Sequence, residues 1–132
     1  MFYATTILTA FLSIAAAAPH AAPRDGSSSG SLTWYTEGLG LTPTACGTIR
    51  TVTEHIAALS PEDYGTYANP NDSPVCGKTI NIHGPNGNTV QATVADRCAG
   101  CSTGDVDVTP TVFELLGFAQ GVGRVQISWD LE

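Results

Sequence analysis

Two runs of strict alternation, Lys78–His83 (KTINIH) and Thr89–Ala95 (TVQATVA), flank the segment Gly84-Pro85-Asn86-Gly87-Asn88. Asn-Gly between alternating segments is the strongest short-range hairpin signal, because a tight primed turn needs residues that accept positive φ. This stretch is therefore expected to form a half-buried antiparallel pair. The same period appears elsewhere. Thr33-Trp34-Tyr35 opens a first strand, and His55–Ser60 (HIAALS) reads as a short buried one. In the last strand Val125, Ile127 and Trp129 alternate with Arg124, Gln126 and Ser128. One helix stands out, with Thr109 as N-cap, Pro110 at its first position and Gly117 as its stop. Val112, Phe113 and Leu116 are its expected buried face. The chain has 14 Gly and 8 Pro in 132 residues, which favours turns and strands over long helices. No internal repeat is present. The expectation is a compact all-β barrel or sandwich, and a helical bundle or a nucleotide-binding α/β fold is excluded.

Met1–Ala18 (MFYATTILTAFLSIAAAA) reads as a secretory leader, with Ala15-x-Ala17 or Ala16-x-Ala18 as the cleavage signal. It is shorter than the roughly 20 apolar residues of a membrane span and is broken by Thr5, Thr6, Thr9 and Ser13. Residues 19–30, rich in Ser and small residues, read as a disordered spacer, leaving 31–132 as the folded unit. A unit of this size buries a modest core.

The formal charge is −7, and the leader and spacer carry only the cancelling pair Arg24 and Asp25. An acidic domain does not neutralise nucleic-acid phosphates or settle on an anionic membrane, so neither is an expected partner. Charged residues make up only 13% of the chain, which excludes a solvated disordered tail.

Four cysteines fall in the folded unit: Cys46, Cys76, Cys98 and Cys101. In an exported chain an even count means disulfides first. Of three connectivities, the pairing taken is Cys98–Cys101 with Cys46–Cys76. Loop-closure entropy credits the longer loop with about 3–4 kcal/mol and the short one with about 2 kcal/mol. Zinc would need a second close pair, whereas Cys46 and Cys76 are 30 positions apart. A thioredoxin-type exchange motif would open a helix in a parallel α/β unit, and no such unit is expected. His55 and His83 have no partner at metal-ligand spacing and read as ordinary strand or surface residues. No phosphate-binding glycine loop and no nucleophile elbow occur. Neither a metal nor an organic cofactor is required.

Carboxylates remain for chemistry. Asp96 ends a strand, while Asp105 and Asp107 sit two apart in Gly104-Asp105-Val106-Asp107-Val108 and would share a face. Adjacent like charges raise one pKa, as a general acid requires. The plainer roles are a helix cap for Asp107 and a surface ion pair of Asp96 with Arg97.

Seven segments carry a resemblance: Thr33-Trp34-Tyr35, Ala45-Cys46-Gly47, Ile56–Ser60, Cys76-Gly77-Lys78, Val94–Cys101, Asp105–Thr109 and Gly123–Trp129. In this order they resemble the double-psi β-barrel domain of rare-lipoprotein-A-like and expansin-like proteins, especially the small secreted fungal loosenins. The resemblance spans nearly all of residues 31–132 and implies a six-stranded barrel with one or two short helices. It implies a monomeric extracellular protein that binds cell-wall polysaccharide (cellulose, chitin or a peptidoglycan-like polymer) and loosens it without hydrolysis. Thr33 and Tyr35 match the expansin T-W-Y motif, and Asp96 matches the aspartate of the D-x-C segment. Asp107 matches the aspartate of H-F-D, which is the general acid in the related barrel cellulases. Asp107 and Asp96 are thus the candidate catalytic residues, and Thr33, Tyr35 and Asp105 the candidate substrate-binding ones. The chain departs from expansins in carrying Asp105 where H-F-D has its histidine, in the segment after Tyr35, and in having no second carbohydrate-binding module after Glu132.

Two other function classes stay open. Thr33–Glu37 places a carboxylate, Glu37, where barrel cellulases keep a base, so an endoglucanase or a lytic transglycosylase is one alternative. The other is a protein binder of the cysteine-protease-inhibitor or effector type, for which the loop Pro61–Pro74, with Tyr64 and Tyr67, could supply the surface. Asn71-Asp72-Ser73 is a glycosylation sequon followed by Pro74.

Overall fold

The computed structural model describes residues 27–132; the leader, and the expected spacer up to residue 26, lie outside the described residues. Six strands close into a barrel: β1 (Ser28–Trp34), β2 (Ile56–Leu59), β3 (Thr79–His83), β4 (Thr89–Arg97), β5 (Val106–Val108) and β6 (Val125–Leu131). Around the barrel the order is β1-β5-β2-β4-β3-β6. The pairings β1–β5 and β2–β4 are parallel, and the others antiparallel. Parallel neighbours need long crossovers, which is why these strands are far apart in sequence.

The expected hairpin is present as β3 and β4, with Thr79 opposite Thr93 and His83 opposite Thr89. Alternation puts Ile80, Ile82, Ala92 and Val94 inside, where they meet Leu32, Ala57, Leu59, Val106, Val108 and Trp129. Helix α2 (Pro110–Leu115) follows Thr109 and buries Val112 and Phe113, with Leu116 just beyond it, against this core. Phe113 and Phe118 pack as tilted rings 6.2 Å apart. Thr109 occupies the N-cap position, but its hydroxyl does not cap. It donates to the Glu54 carbonyl at 2.6 Å and ties the helix entrance to the segment before β2.

Three local expectations are corrected. The barrel begins at Ser28 rather than Ser31, because Ser28–Leu32 pair with Trp129–Val125. Backbone hydrogen bonds of this kind need no apolar side chains, so a Ser-Gly run carries no visible strand signal. β2 excludes His55, which is exposed, and runs through four fully buried residues. The loop 61–74 opens with a short helix, α1 (Pro61–Tyr64), capped by Ser60, whose Oγ accepts from the Asp63 amide.

Tyr64 in that helix is buried rather than offered at the surface. Its hydroxyl donates to the Pro70 carbonyl at 2.6 Å and lies 3.6 Å from Cys46 Sγ and 3.3 Å from Cys76 Sγ. Both expected disulfides are closed, with Cα separations of 5.6 Å for Cys46–Cys76 and 5.4 Å for Cys98–Cys101.

At one crossing the backbone passes with no room for a side chain. A Cβ on Gly30 would lie 2.3 Å from the Gly104 carbonyl oxygen, and one on Gly104, at φ +88°, 2.1 Å from the Ser29 oxygen. The Trp129 indole N–H donates to that Gly104 carbonyl at 2.8 Å from inside the barrel.

Candidate functional site

Register brings the candidate residues together. Thr33 on β1 stands opposite Asp107 on β5, Asp107 opposite Ala58 on β2, and Ala58 opposite Asp96 on β4. One rung thus crosses four strands that the sequence separates widely. Leu32, Val106, Val108, Ala57 and Leu59 fill the core, so Thr33, Asp107 and Ala58 turn outward between them.

Asp96 joins the rung through an irregularity. Ala92 and Val94 point inward, so unbroken alternation would send Asp96 inward as well. Between Ala57 and Ala58 the partner on β4 jumps from Val94 to Asp96, leaving Ala95 as an extra residue. A bulge of this kind re-aims the side chain that follows it. Ala95 then packs outside the barrel with Ile56 and Leu39, and the Tyr35 ring lies against this small apolar group.

The polar atoms form two hydrogen-bonded groups on this rung. Thr33 Oγ1 donates to Asp107 Oδ1 at 3.0 Å. The Tyr35 hydroxyl donates to Asp96 Oδ2 at 2.9 Å, and Asp96 Oδ1 accepts the backbone amides of Ala45 and Arg97, each at 2.9 Å. The Cys46 amide donates to the Ala95 carbonyl at 3.1 Å, so the disulfide-bearing loop is fastened beside the carboxylate.

Burial pushes the Asp107 carboxyl above the ordinary carboxylate range; the Thr33 hydroxyl partly offsets this, and the Asp96 charge adds to it. The Tyr35 phenol is pushed far up, first by burial and then by Asp96 and Asp107, so it remains a neutral donor at every working pH. Asp107 is therefore a half-buried acid that keeps its proton to higher pH than an ordinary aspartate, with the Thr33 hydroxyl and the Val108 backbone as its donors. Such a group can give a proton or a strong hydrogen bond to an oxygen of a ligand lying on the rung.

Asp105 is placed differently. It precedes β5, where one oxygen accepts the Ser31 amide at 2.8 Å and the other the Ser102 amide at 3.2 Å. It closes the turn against β1 and does not join Asp107. Glu37 is exposed on the turn after β1, and Tyr67 is 40% exposed over Gly65. Asn71 lies in an exposed turn (Pro70–Asp72), with its side-chain amide against Gly47. Ala45, whose amide helps fix Asp96, has no side-chain chemistry and was missed; only its place beside Cys46 hinted at it. Among the described residues no group of three His, Cys, Asp or Glu could hold a metal ion, and no helix is long and apolar enough to cross a membrane.

No family model matches the chain. Among curated proteins it is 44% identical over 85 residues to the allergen Asp f 7 homolog of Arthroderma benhamiae, covering 64% of this chain and 27% of that protein. It is 32% identical over 89 residues to the papain inhibitor of Streptomyces mobaraensis, covering 66% and 59%. The chain thus spans about a quarter to three fifths of the curated relatives it matches. Among solved structures the Streptomyces papain inhibitor superimposes with a TM-score of 0.69 at 28% identity, covering 80% of this chain and 93% of the other. The apo expansin of Clavibacter michiganensis gives 0.64 at 29% identity, covering 80% and 50%. An aspartate-to-asparagine variant of that expansin was solved with cellohexaose. Cerato-platanin 3 of M. perniciosa, at 18% identity and TM-score 0.58 over 79% and 93%, shares the fold.

Closed six-strand order and neighbours together define a double-psi β-barrel protein. The chain has the double-psi β-barrel fold of the expansin barrel and the papain inhibitor, to both of which it is similar.

Proposed function

We propose that this chain is a secreted expansin-like protein of the loosenin type, which binds cell-wall polysaccharide across the Thr33–Asp107–Asp96 rung and loosens it without cleaving a bond. The observation that carries this reading is the division of labour between the two carboxyl groups. Asp107 is half-buried, its carboxyl is pushed above the ordinary carboxylate range by burial, and its donors are the Thr33 hydroxyl and the Val108 backbone. Asp96 has both oxygens on protein donors and serves as an anchor for Tyr35 and the Ala45 loop. Glycoside hydrolysis needs a second carboxylate free to activate water or attack carbon. With Asp96 engaged in this way, Asp107 is read as a group that competes for hydrogen bonds between glycan chains instead. The similarity to an expansin whose variant was solved with cellohexaose supports a β-linked glucan as ligand. Two closed disulfides, with no free cysteine among the described residues, suit an oxidising extracellular setting.

The test is Asp107→Asn, which keeps shape and hydrogen-bonding capacity but removes the transferable proton. Loosening of cellulose paper or isolated walls is expected to vanish while the fold persists, with no reducing sugar released by either protein. Sugar release by the wild type that disappears in the variant would assign a hydrolase, and Glu37 would be the next residue to replace.

A second reading is favoured by one observation, the papain inhibitor's TM-score of 0.69 over 93% of its length. Its surface would lie outside the buried Tyr64. Titration of papain with the chain separates the two: stoichiometric inhibition unaffected by Asp107→Asn assigns a protease binder.

A further inference from the structure

We propose a second saccharide site on the side of the barrel opposite Asp107, built on the rung Ser29–Ser128–His83–Thr89. The register is continuous: Ser29 on β1 faces Ser128 on β6, Ser128 faces His83 on β3, and His83 faces Thr89 on β4. Ile127, Trp129 and Ile82 fill the core, so the rung residues between them turn outward. In the barrel order, β6 and β3 lie across from β5 and β2, so this rung and the Asp107 rung occupy opposite sides. They share β1, where Ser29 and Thr33 are about 13 Å apart along the strand, and β4, which carries Thr89 near one end and Asp96 near the other.

Over this rung lies a shallow concavity of about 270 Å³, bordered by Ser29, Ser128, His83 and Gln126, with Gly84 and Pro85 of the hairpin turn as its rim. Its size falls just below the about 300–1,000 Å³ of sites for drug-sized ligands, leaving room for one ring. The imidazole is held at both ends. His83 Nε2 lies 2.8 Å from Asp130 Oδ1 and Nδ1 lies 2.9 Å from Thr89 Oγ1. In the neutral ring Nε2–H donates to the Asp130 carboxylate, leaving Nδ1 to accept from the Thr89 hydroxyl. Asn81 Nδ2 donates to the other Asp130 oxygen at 3.0 Å, and Gln91 Nε2 donates to Asn81 Oδ1 at 2.8 Å, which fixes the carboxylate in turn. Gln126 is positioned by its bond to Ser31 Oγ at 2.9 Å.

The chemistry selects the ligand. The border offers two serine hydroxyls, an amide and an oriented imidazole, with the proline ring as an apolar wall. No lysine or arginine lies on it, and the chain carries −7 overall, so an anion is repelled. Hydroxyls and an amide around an apolar wall match a neutral pyranose, whose equatorial hydroxyls need partners that both donate and accept and whose C–H face needs apolar contact. With a saccharide on each side, one barrel would touch two glycan chains at once.

The test is an amide-shift titration of isotopically labelled protein with cellotetraose, with chitotetraose, and with inorganic phosphate as the anionic control. Saturable shifts are expected at the Ser29, His83 and Ser128 amides with at least one sugar, unchanged in Asp107→Asn. Ser128→Trp, which fills the concavity, and His83→Ala, which removes the oriented ring without adding bulk, are each expected to weaken these shifts about tenfold or more. The site is overturned if neither sugar shifts those amides, if both folded variants titrate like the wild type, or if phosphate alone binds. Shifts confined to the Thr33 and Asp107 amides would overturn this site and leave the proposed function standing; shifts confined to Ser29, His83 and Ser128 would do the reverse.

Discussion

The two rungs on opposite sides of the barrel are built by the same geometry and end with different exposure to water. Each takes four outward positions from four strands, and each begins on β1. On the Asp107 side the loop between β1 and β2 folds back over the strands. It brings Tyr35, Leu39 and Ala45 against the sheet and takes a carboxyl group partly out of water. On the Ser128 side no loop among the described residues does this; the His83–Asp130 pair touches directly at 2.8 Å but stays 41% and 36% exposed. Loop cover thus raises the proton affinity of a carboxyl on one rung, while the other rung keeps its hydroxyls open to solvent.

That contrast can be broken at the fastening of the loop. Replacing both Cys46 and Cys76 by Ala is expected to cost about 3–4 kcal/mol by the loop-entropy estimate, read as a lower melting temperature. The Asp107 rung should lose amide protection well before the β3–β6 side does, measured by hydrogen exchange. Equal loss on both sides would mean that the loop does not act on one rung alone.

A smaller effect sharpens the same point through pH. The folded Asp107 binds its proton more tightly than an unfolded aspartate, whose ordinary value is 3.8. As pH rises from that value to the raised folded one, the unfolded chain releases this proton first, so this group's contribution to stability falls across the window. Asp107→Asn should flatten that part of the melting profile and leave the variant as stable as the wild type, or slightly more so, at neutral pH. Wall loosening should decline over the same window. A profile that Asp107→Asn leaves unchanged would show that burial does not act on this carboxyl.

The smallest effect is Tyr35→Phe. It removes one donor from Asp96 while keeping the ring against Leu39, Ile56 and Ala95, so a loss of about 1 kcal/mol is expected in chemical denaturation. Weaker loosening with little change in wall binding would place Tyr35 as a positioning residue.

How far these features were readable depends on whether they live in local period or in distant register. Lys78–His83, Thr89–Ala95 and Pro110–Leu116 announce themselves because their own side chains alternate or recur toward the core. Val106-Asp107-Val108 was legible for the same reason, with two buried valines around an outward carboxyl. Asp105 was not separable from Asp107 by spacing, since the strand begins only at Val106 and Asp105 instead answers the Ser31 and Ser102 amides. Asp96 owes its direction to Ala95, and nothing in Val94-Ala95-Asp96 announces a bulge. Ser28–Gly30 is a strand because β6 supplies hydrogen bonds to it. Tyr64 is buried because a disulfide between residues far from it in sequence closes over its hydroxyl.

The crossing of Gly30 and Gly104 carries a consequence for how such a barrel can diversify. Each glycine would collide with main-chain atoms rather than with a side chain that could swing aside, so no compensating replacement elsewhere relieves either clash. The two positions behave as one inherited unit: a library that randomised both would return folded clones with glycine at each. Loop lengths and surface residues around them remain free to vary. A lineage could exchange one ligand for another many times over and still be recognisable by two residues that touch no ligand at all.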